Sequence, residues 1–334
     1  MEESANEALQ GYIQHPTISK GRIVFVAEND LWLVKADASQ PPWRLTSGAR
    51  AAHPLFSKVG DKIVFSSGPD VWMLPLSTCQ PIQLTYFGWG EAVPVAWMDS
   101  GELVVASTSI DAFHRPRLMR VHPDQQGHVE QVYPSNLDSV IYGVGPAGLG
   151  VLVGRHTLQD YEWKGYRGGR YGRLWLDRNG DERYEPLILK DESAAAAAGV
   201  QISITCPMWI GSRLWFIAEH DGCGNIWSMD LEDPTSMTKH TSHDMFYARW
   251  ARTDGEDIVY THAGELWMYK GGETKQIPVQ LGMSKAHLPR LMSASDWCDA
   301  VVLHPEGHHV AVVTRGQVFE MALWEGPAVP LRLH

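Results

Sequence analysis

One phrase of four short apolar segments recurs along the chain, and any fold must give each copy an equivalent setting. The first copy reads His15-Pro-Thr-Ile-Ser, Gly21-Arg-Ile-Val-Phe-Val-Ala, Asp30-Leu-Trp-Leu-Val and Trp43-Arg-Leu-Thr. The second reads His53-Pro-Leu-Phe-Ser, Gly60-Asp-Lys-Ile-Val-Phe, Asp70-Val-Trp-Met-Leu and Ile82-Gln-Leu-Thr. Alignment on the third segment puts Trp32, Trp72, Met119, Trp175, Trp227, Trp267 and Phe319 in one column, at intervals of 40 to 56 residues. Five of the 14 tryptophans thus share one position, where a large flat side chain can pack between neighbouring layers.

The second segments, such as Ile23-Val-Phe-Val, Leu103-Val-Val-Ala and Leu214-Trp-Phe-Ile-Ala, are continuous apolar runs too short for helices. Such runs suit strands buried on both faces. Hairpin dipeptides at Asn179-Gly180 and Asp254-Gly255 punctuate the copies, and no long amphipathic helical pattern competes. The spacing therefore predicts an all-β chain of β-propeller blades, each a four-stranded antiparallel sheet. Six copies end near Leu281, and a seventh begins at Ala300 after a polar connection. Spacing alone allows one seven-bladed ring, or a six-bladed propeller followed by one extra blade-like unit.

Composition narrows the function classes. In 334 residues, 28 basic side chains face 39 acidic ones, and the net charge of −11 argues against a surface built to neutralise phosphates. Nucleic acid is not an expected partner. Cys79, Cys206, Cys223 and Cys298 form no C-x-x-C pair and have no histidine at finger spacing, so no disulfide framework, structural metal or cofactor is expected. The N-terminal stretch is acidic, and no run of roughly 18 apolar residues occurs, so the chain is expected to be cytoplasmic with no membrane partner.

The most individual stretch is Trp163-Lys-Gly-Tyr-Arg-Gly-Gly-Arg-Tyr-Gly-Arg-Leu-Trp. It resembles the Trp-Lys-Gly-Tyr-Arg-Gly-Gly segment of the N-terminal six-bladed propeller in the tricorn protease family. Gly21 to Trp32, Leu84-Thr-Tyr-Phe, Asp221-Gly-Cys-Gly-Asn-Ile-Trp and His240-Thr-Ser match in order, and Leu303-His-Pro-Glu-Gly to Thr314-Arg-Gly-Gln-Val-Phe resembles the start of that family's second, seven-bladed propeller. The resemblance implies a six-bladed propeller over 1–281, a linker over 282–299 and the first blade of a second propeller over 300–334. It also implies the N-terminal part of a longer serine peptidase that works as a homohexamer on oligopeptides, with this propeller as a noncatalytic channel and scaffold. One departure stands out. A member of the family anchors a peptide carboxylate with paired arginines between blades two and three, whereas Tyr86-Phe-Gly-Trp-Gly-Glu-Ala-Val contains none, so that anchor is not carried over.

Candidate sites follow from charge contrast. Lys164, Arg167, Arg170 and Arg173 concentrate four positive charges in an acidic chain, and His114 with Arg115 forms a second basic cluster. Both could draw the carboxylate of a peptide; both could equally be solvated turns between strands. No catalytic residue is expected, because no Gly-x-Ser-x-Gly elbow, phosphate loop or dinucleotide fingerprint is present. The His-Pro pairs lie tens of residues apart and read as strand starts or turns rather than metal ligands. The alternatives are a freestanding seven-bladed interaction module and, more remotely, a sugar-acting propeller that would bring Asp111, Asp160 and Asp221 together at one mouth.

Overall fold

Strands that are apolar on both faces need a neighbour on each side, and the fold supplies one. The computed structural model describes residues 12–125, 128–131, 140–144, 150–154, 172–181, 183–187, 203–233, 236–281 and 293–331. The chain divides into two compact units, Met1–Ser284 and Lys285–His334. Among the described residues no helix is long and apolar enough to cross a membrane.

The first unit holds six four-stranded antiparallel sheets, each made of consecutive strands, over 14–44, 51–83, 92–131, 140–186, 204–239 and 249–276. Their first strands are Gln14–Ser19, Ala51–Phe56, Ala92–Trp97, Val140–Val144, Ile204–Ile210 and Arg249–Thr253. These touch one another in that order, and the last touches the first. The expected all-β propeller architecture is thereby borne out.

The second strands show why the runs are apolar throughout. In Arg22–Ala27, Ile23, Phe25 and Ala27 pack with Val259, Leu266 and Met268 of the sixth sheet, while Val24 and Val26 pack with Ile63 and Phe65 of the second. In Arg213–Ala218, Leu214 and Phe216 join Leu174 and Leu176 of the fourth sheet, and Trp215 and Ile217 join Ile258 and Tyr260 of the sixth. Alternate side chains point to opposite faces of a strand, so each such strand seals two seams at once. The tryptophan column keeps one register: Trp32 pairs with Phe25, Trp72 with Phe65, Trp227 with Phe216 and Trp267 with Tyr260. Trp32 lies against the core shared with the sixth sheet, and Trp72 against the one shared with the first.

A buried polar clasp closes the sheets. Asp30, at the start of its strand, accepts hydrogen bonds from the Thr46 hydroxyl at 2.8 Å and from the amides of Gly48 and Ala49, both at 3.0 Å; the Thr46 hydroxyl oxygen accepts from the Leu31 amide at 2.9 Å. Asp70 with Thr85, and Asn225 with Thr241, repeat the arrangement in the second and fifth sheets. Each clasp satisfies backbone donors where the chain turns away to start the next sheet, donors that burial would otherwise leave costly.

The second unit is one four-stranded antiparallel sheet of Cys298–Leu303, His309–Thr314, Gln317–Ala322 and Val329–Pro330. Phe319 pairs with Val312 there as the tryptophans pair in the other sheets.

Candidate functional site

The first strands carry a local irregularity that builds the centre of the ring. In the first, second, fifth and sixth sheets a bulge falls between Gln14 and Thr17, Ala52 and Leu55, Thr205 and Met208, and Arg249 and Arg252. Within these bulges His15, His53, Cys206 and Trp250 adopt left-handed backbone, with φ of 49°, 48°, 52° and 52°. A bulge leaves a residue unpaired and re-aims its side chain, and a non-glycine residue is held in this region only when its surroundings fix it. Two of the four His-Pro phrases, at His15 and His53, are therefore bulge positions, while His122 and His304 follow the ends of strands. His15 lies 3.9 Å, centroid to centroid, from His53 and 4.4 Å from the ring of Trp250.

Arg252 extends from the sixth sheet across the ring to the third. Its Nη1 donates to the Val95 carbonyl at 2.9 Å and its Nη2 to the Pro94 carbonyl at 3.3 Å. On one side lies a cavity of about 600 Å³, lined by Lys20, Lys58, Trp97, Trp209 and Glu256 among others; on the other lies a space of about 80 Å³ lined by His15, His53, Cys206 and Trp250. Arg252 lines both. The axis is thus partitioned by a cation held on carbonyl oxygens.

Electrostatics follow from this enclosure. Burial, reinforced by the charge of Arg252, pushes the His53 imidazole down to about 4. Burial, then His53 and Arg252, holds His15 well below its ordinary 6.5. Both rings are neutral at pH 7, and Arg252 carries the local charge, because a guanidinium starts from so high a pKa that burial lowers it without discharging it. One outcome is measurable. The unfolded chain takes up protons at these histidines below about pH 6.5, whereas in the folded chain His53 resists until about pH 4 and His15 is likewise held down, so folding stability should fall as pH drops below about 6.5 and be flat above it. The urea midpoint measured from pH 7.5 to 4.5 should decline, and H15Q/H53Q should decline less. His240, His243 and His262, also lowered chiefly by burial, account for a residual slope. A midpoint independent of pH would contradict the assignment.

The basic side chains singled out by sequence lie elsewhere. Lys164, Arg167 and Arg170 fall outside the described residues, as does Asp160. Arg173 is exposed at the start of Arg173–Asp177, His114 is exposed beside Trp89 at 5.1 Å, and neither lines the axial cavity. Arg115 and Arg117 both reach Asp111, Arg115 through Nε at 3.3 Å and Arg117 through Nη2 at 2.6 Å. Burial alone would raise the Asp111 carboxyl, but Arg117, the Phe113 amide and Arg115 hold it far below the usual carboxylate range. Asp221 is paired with Lys239. His122, His128 and Glu130 bring ligand atoms within 4.8 Å of one another, yet Arg120 stands 3.6 Å from the Glu130 carboxylate and already supplies a positive charge there. Sequence reasoning passed over Arg252; the available signal was that Trp250-Ala-Arg252 occupies the position of His15-Pro-Thr in the repeat.

Known proteins share this architecture. Residues 10–275 match the family described as the tricorn protease N-terminal beta propeller domain. The chain is 26% identical to a tricorn protease homolog of Saccharolobus solfataricus, over 97% of this chain and 30% of that protein. It is 30% identical to tricorn protease homolog 1 of Streptomyces coelicolor, over 96% and 30%, and 27% identical to the tricorn protease of Thermoplasma acidophilum, over 91% and 28%. The chain thus spans about 30% of the length of the curated relatives it matches. The crystal structure of the tricorn protease superposes with a TM-score of 0.72 at 22% identity, over 96% of this chain and 31% of that one. TolB from Acinetobacter baumannii shares the fold at a TM-score of 0.59 and 16% identity, over 78% and 64%. The resemblance read from Trp163 onward thus holds for nearly the whole chain, and the chain belongs to the family of the tricorn protease N-terminal beta propeller domain.

Proposed function

We propose that the chain serves as the noncatalytic channel and scaffold region of a tricorn-like cytoplasmic serine peptidase that degrades oligopeptides. The observation that carries this reading is the axial cavity of about 600 Å³ within a ring of six sheets that matches the family over 10–275. A rigid ring with a lined axis can select extended peptides while chemistry is done by another domain. The direct packing of the sixth sheet on the first supports a six-bladed propeller over 1–281, a linker over 282–299 and a first blade of a second propeller over 300–334, in preference to a seven-bladed interaction module. In the assembled peptidase, which we take to be a homohexamer, peptides are the partner. Lys164, Arg167, Arg170, Arg173, His114 and Arg115 are the proposed peptide-binding residues.

A hydrolysis assay tests the reading. The purified 334-residue chain incubated with fluorogenic oligopeptides should release no fluorophore above the blank. Release that is abolished by a serine-directed active-site reagent would overturn it, because the chemistry would then reside in these residues.

A further inference from the structure

We propose that Arg252 forms a carboxylate-binding site at the floor of the axial cavity and receives the C-terminal end of a peptide there. This deepens the peptide-handling reading above and rests on it.

The first ground is an unbalanced charge. Arg44, Arg117 and Arg120 each sit against a carboxylate. Arg252 makes its two hydrogen bonds to main-chain carbonyls, and among the described residues no carboxylate is in ion-pair contact with it. A guanidinium offers five N–H donors in a fixed fork, so the two carbonyls fix its orientation without exhausting it. The neighbouring His15 and His53 contribute no negative charge, and the Cys206 thiol beside them favours the charged guanidinium. A cation enclosed in this way, away from bulk water, attracts an anion far more strongly than one on the surface.

The second ground is room and shape. At about 600 Å³ the cavity lies within the range of roughly 300 to 1,000 Å³ typical of ligand sites. Its wall is mixed. Leu55, Phe56, Trp97, Met208 and Trp209 can hold apolar side chains, while Lys20, Lys58, Asp254 and Glu256 also line the cavity, Lys58 paired with Asp99 and the Lys20 ammonium on the Val59 carbonyl. Within the ring itself the enclosed cation is Arg252, held on main-chain carbonyls. One guanidinium suits a monoanion such as a peptide carboxylate, whose two oxygens match its fork, better than a phosphate dianion. The peptide then lies along the axis, carboxylate inward, with its preceding residues against the aromatic wall.

Calorimetric titration of the full 334-residue chain with Ala-Ala-Phe as the free acid and as its C-terminal amide tests this. The acid should bind at least tenfold more tightly than the amide, tenfold excess inorganic phosphate should not displace it, and Arg252→Met should reduce the acid to the affinity of the amide. Equal binding of acid and amide would overturn the proposal, as would displacement by phosphate or undiminished binding to a folded R252M chain. Should R252M fail to fold, the acid-against-amide ratio of the unaltered chain still decides. Absence of binding by either peptide would remove the Arg252 site, whereas the noncatalytic propeller reading fails only on the hydrolysis assay.

Discussion

Replacing Phe25 with alanine is expected to lower the unfolding free energy by about 3 to 5 kcal/mol, the usual range for removing a buried phenyl ring. Phe25 is fully buried and sits where the ring closes, among Ile18, Ile23, Val259, Leu266 and Met268. The position matters as much as the volume. Every sheet consists of consecutive strands, so the first and sixth sheets share no hydrogen-bonded ladder. Among the described residues the Ile13 amide donates to the Gly264 carbonyl across this seam at 2.9 Å, supplemented by the Lys20 amide donating to Asp254 at 3.2 Å. Side-chain packing therefore holds the closure, and it joins residues more than 200 positions apart, so the entropy of closing the ring falls on this contact. Phe216 is as deeply buried at the seam between the fourth and fifth sheets, whose strands are neighbours in sequence. Phe216→Ala should cost a similar free energy without opening the ring. Urea unfolding of both variants, with amide exchange at Ile13, separates the two effects: the Ile13 amide should exchange faster in F25A and keep near-original protection in F216A. A midpoint change of F25A equivalent to less than about 1 kcal/mol would show that the closure is held elsewhere.

The ring could be read from sequence for the same reason that Phe25 matters. A strand sealed on both faces loses the apolar-polar alternation of an ordinary strand, so Ile23-Val-Phe-Val and Leu214-Trp-Phe-Ile-Ala advertise their neighbours directly. The tryptophan column adds register, since one large residue per copy must meet the preceding sheet. The axial site was far less legible. Arg252 gains its meaning from carbonyls 157 and 158 positions away, brought opposite by ring closure, and no local pattern encodes that meeting. The bulges were half visible: the His-Pro phrases mark two of them, whereas Cys206 and Trp250 occupy the same left-handed position with no shared residue type. Charge counting also misjudged the third sheet. His114 and Arg115 look like a free basic cluster until the turn brings Asp111 against Arg115 and Arg117.

The clasp at Asp30 was present in the repeated phrase but silent, because Asp30 and Thr46 lie on opposite ends of a hairpin excursion and meet only once the fourth strand returns. Asp30→Ala is expected to cost about 3 to 5 kcal/mol, the loss seen when one partner of a buried ion pair is deleted. The change strands the Arg44 guanidinium, the Thr46 hydroxyl and the amides of Gly48 and Ala49, all of which donate to this one carboxylate. Asp30→Asn should cost less, about 1 to 3 kcal/mol, because Asn225 performs the equivalent task in the fifth sheet. There its Oδ1 accepts from Thr241 and from the His243 amide while its Nδ2 donates to the His243 carbonyl. The residual cost at position 30 arises because an amide nitrogen would face Arg44 and the Gly48 amide, two donors. The original chain and D30N also separate by pH. Burial pushes the Asp30 carboxyl up, but the Ala49 amide, Arg44, the Gly48 amide and Thr46 outweigh it and hold it below its ordinary 3.8. A depressed carboxyl contributes stability above its unfolded value and loses it as pH falls through the folded one. The original chain should therefore lose this contribution below about pH 4, while D30N, having nothing to protonate there, should show a shallower acid decline. Parallel acid declines in the two chains would mean that Asp30 is not the anion that holds the clasp.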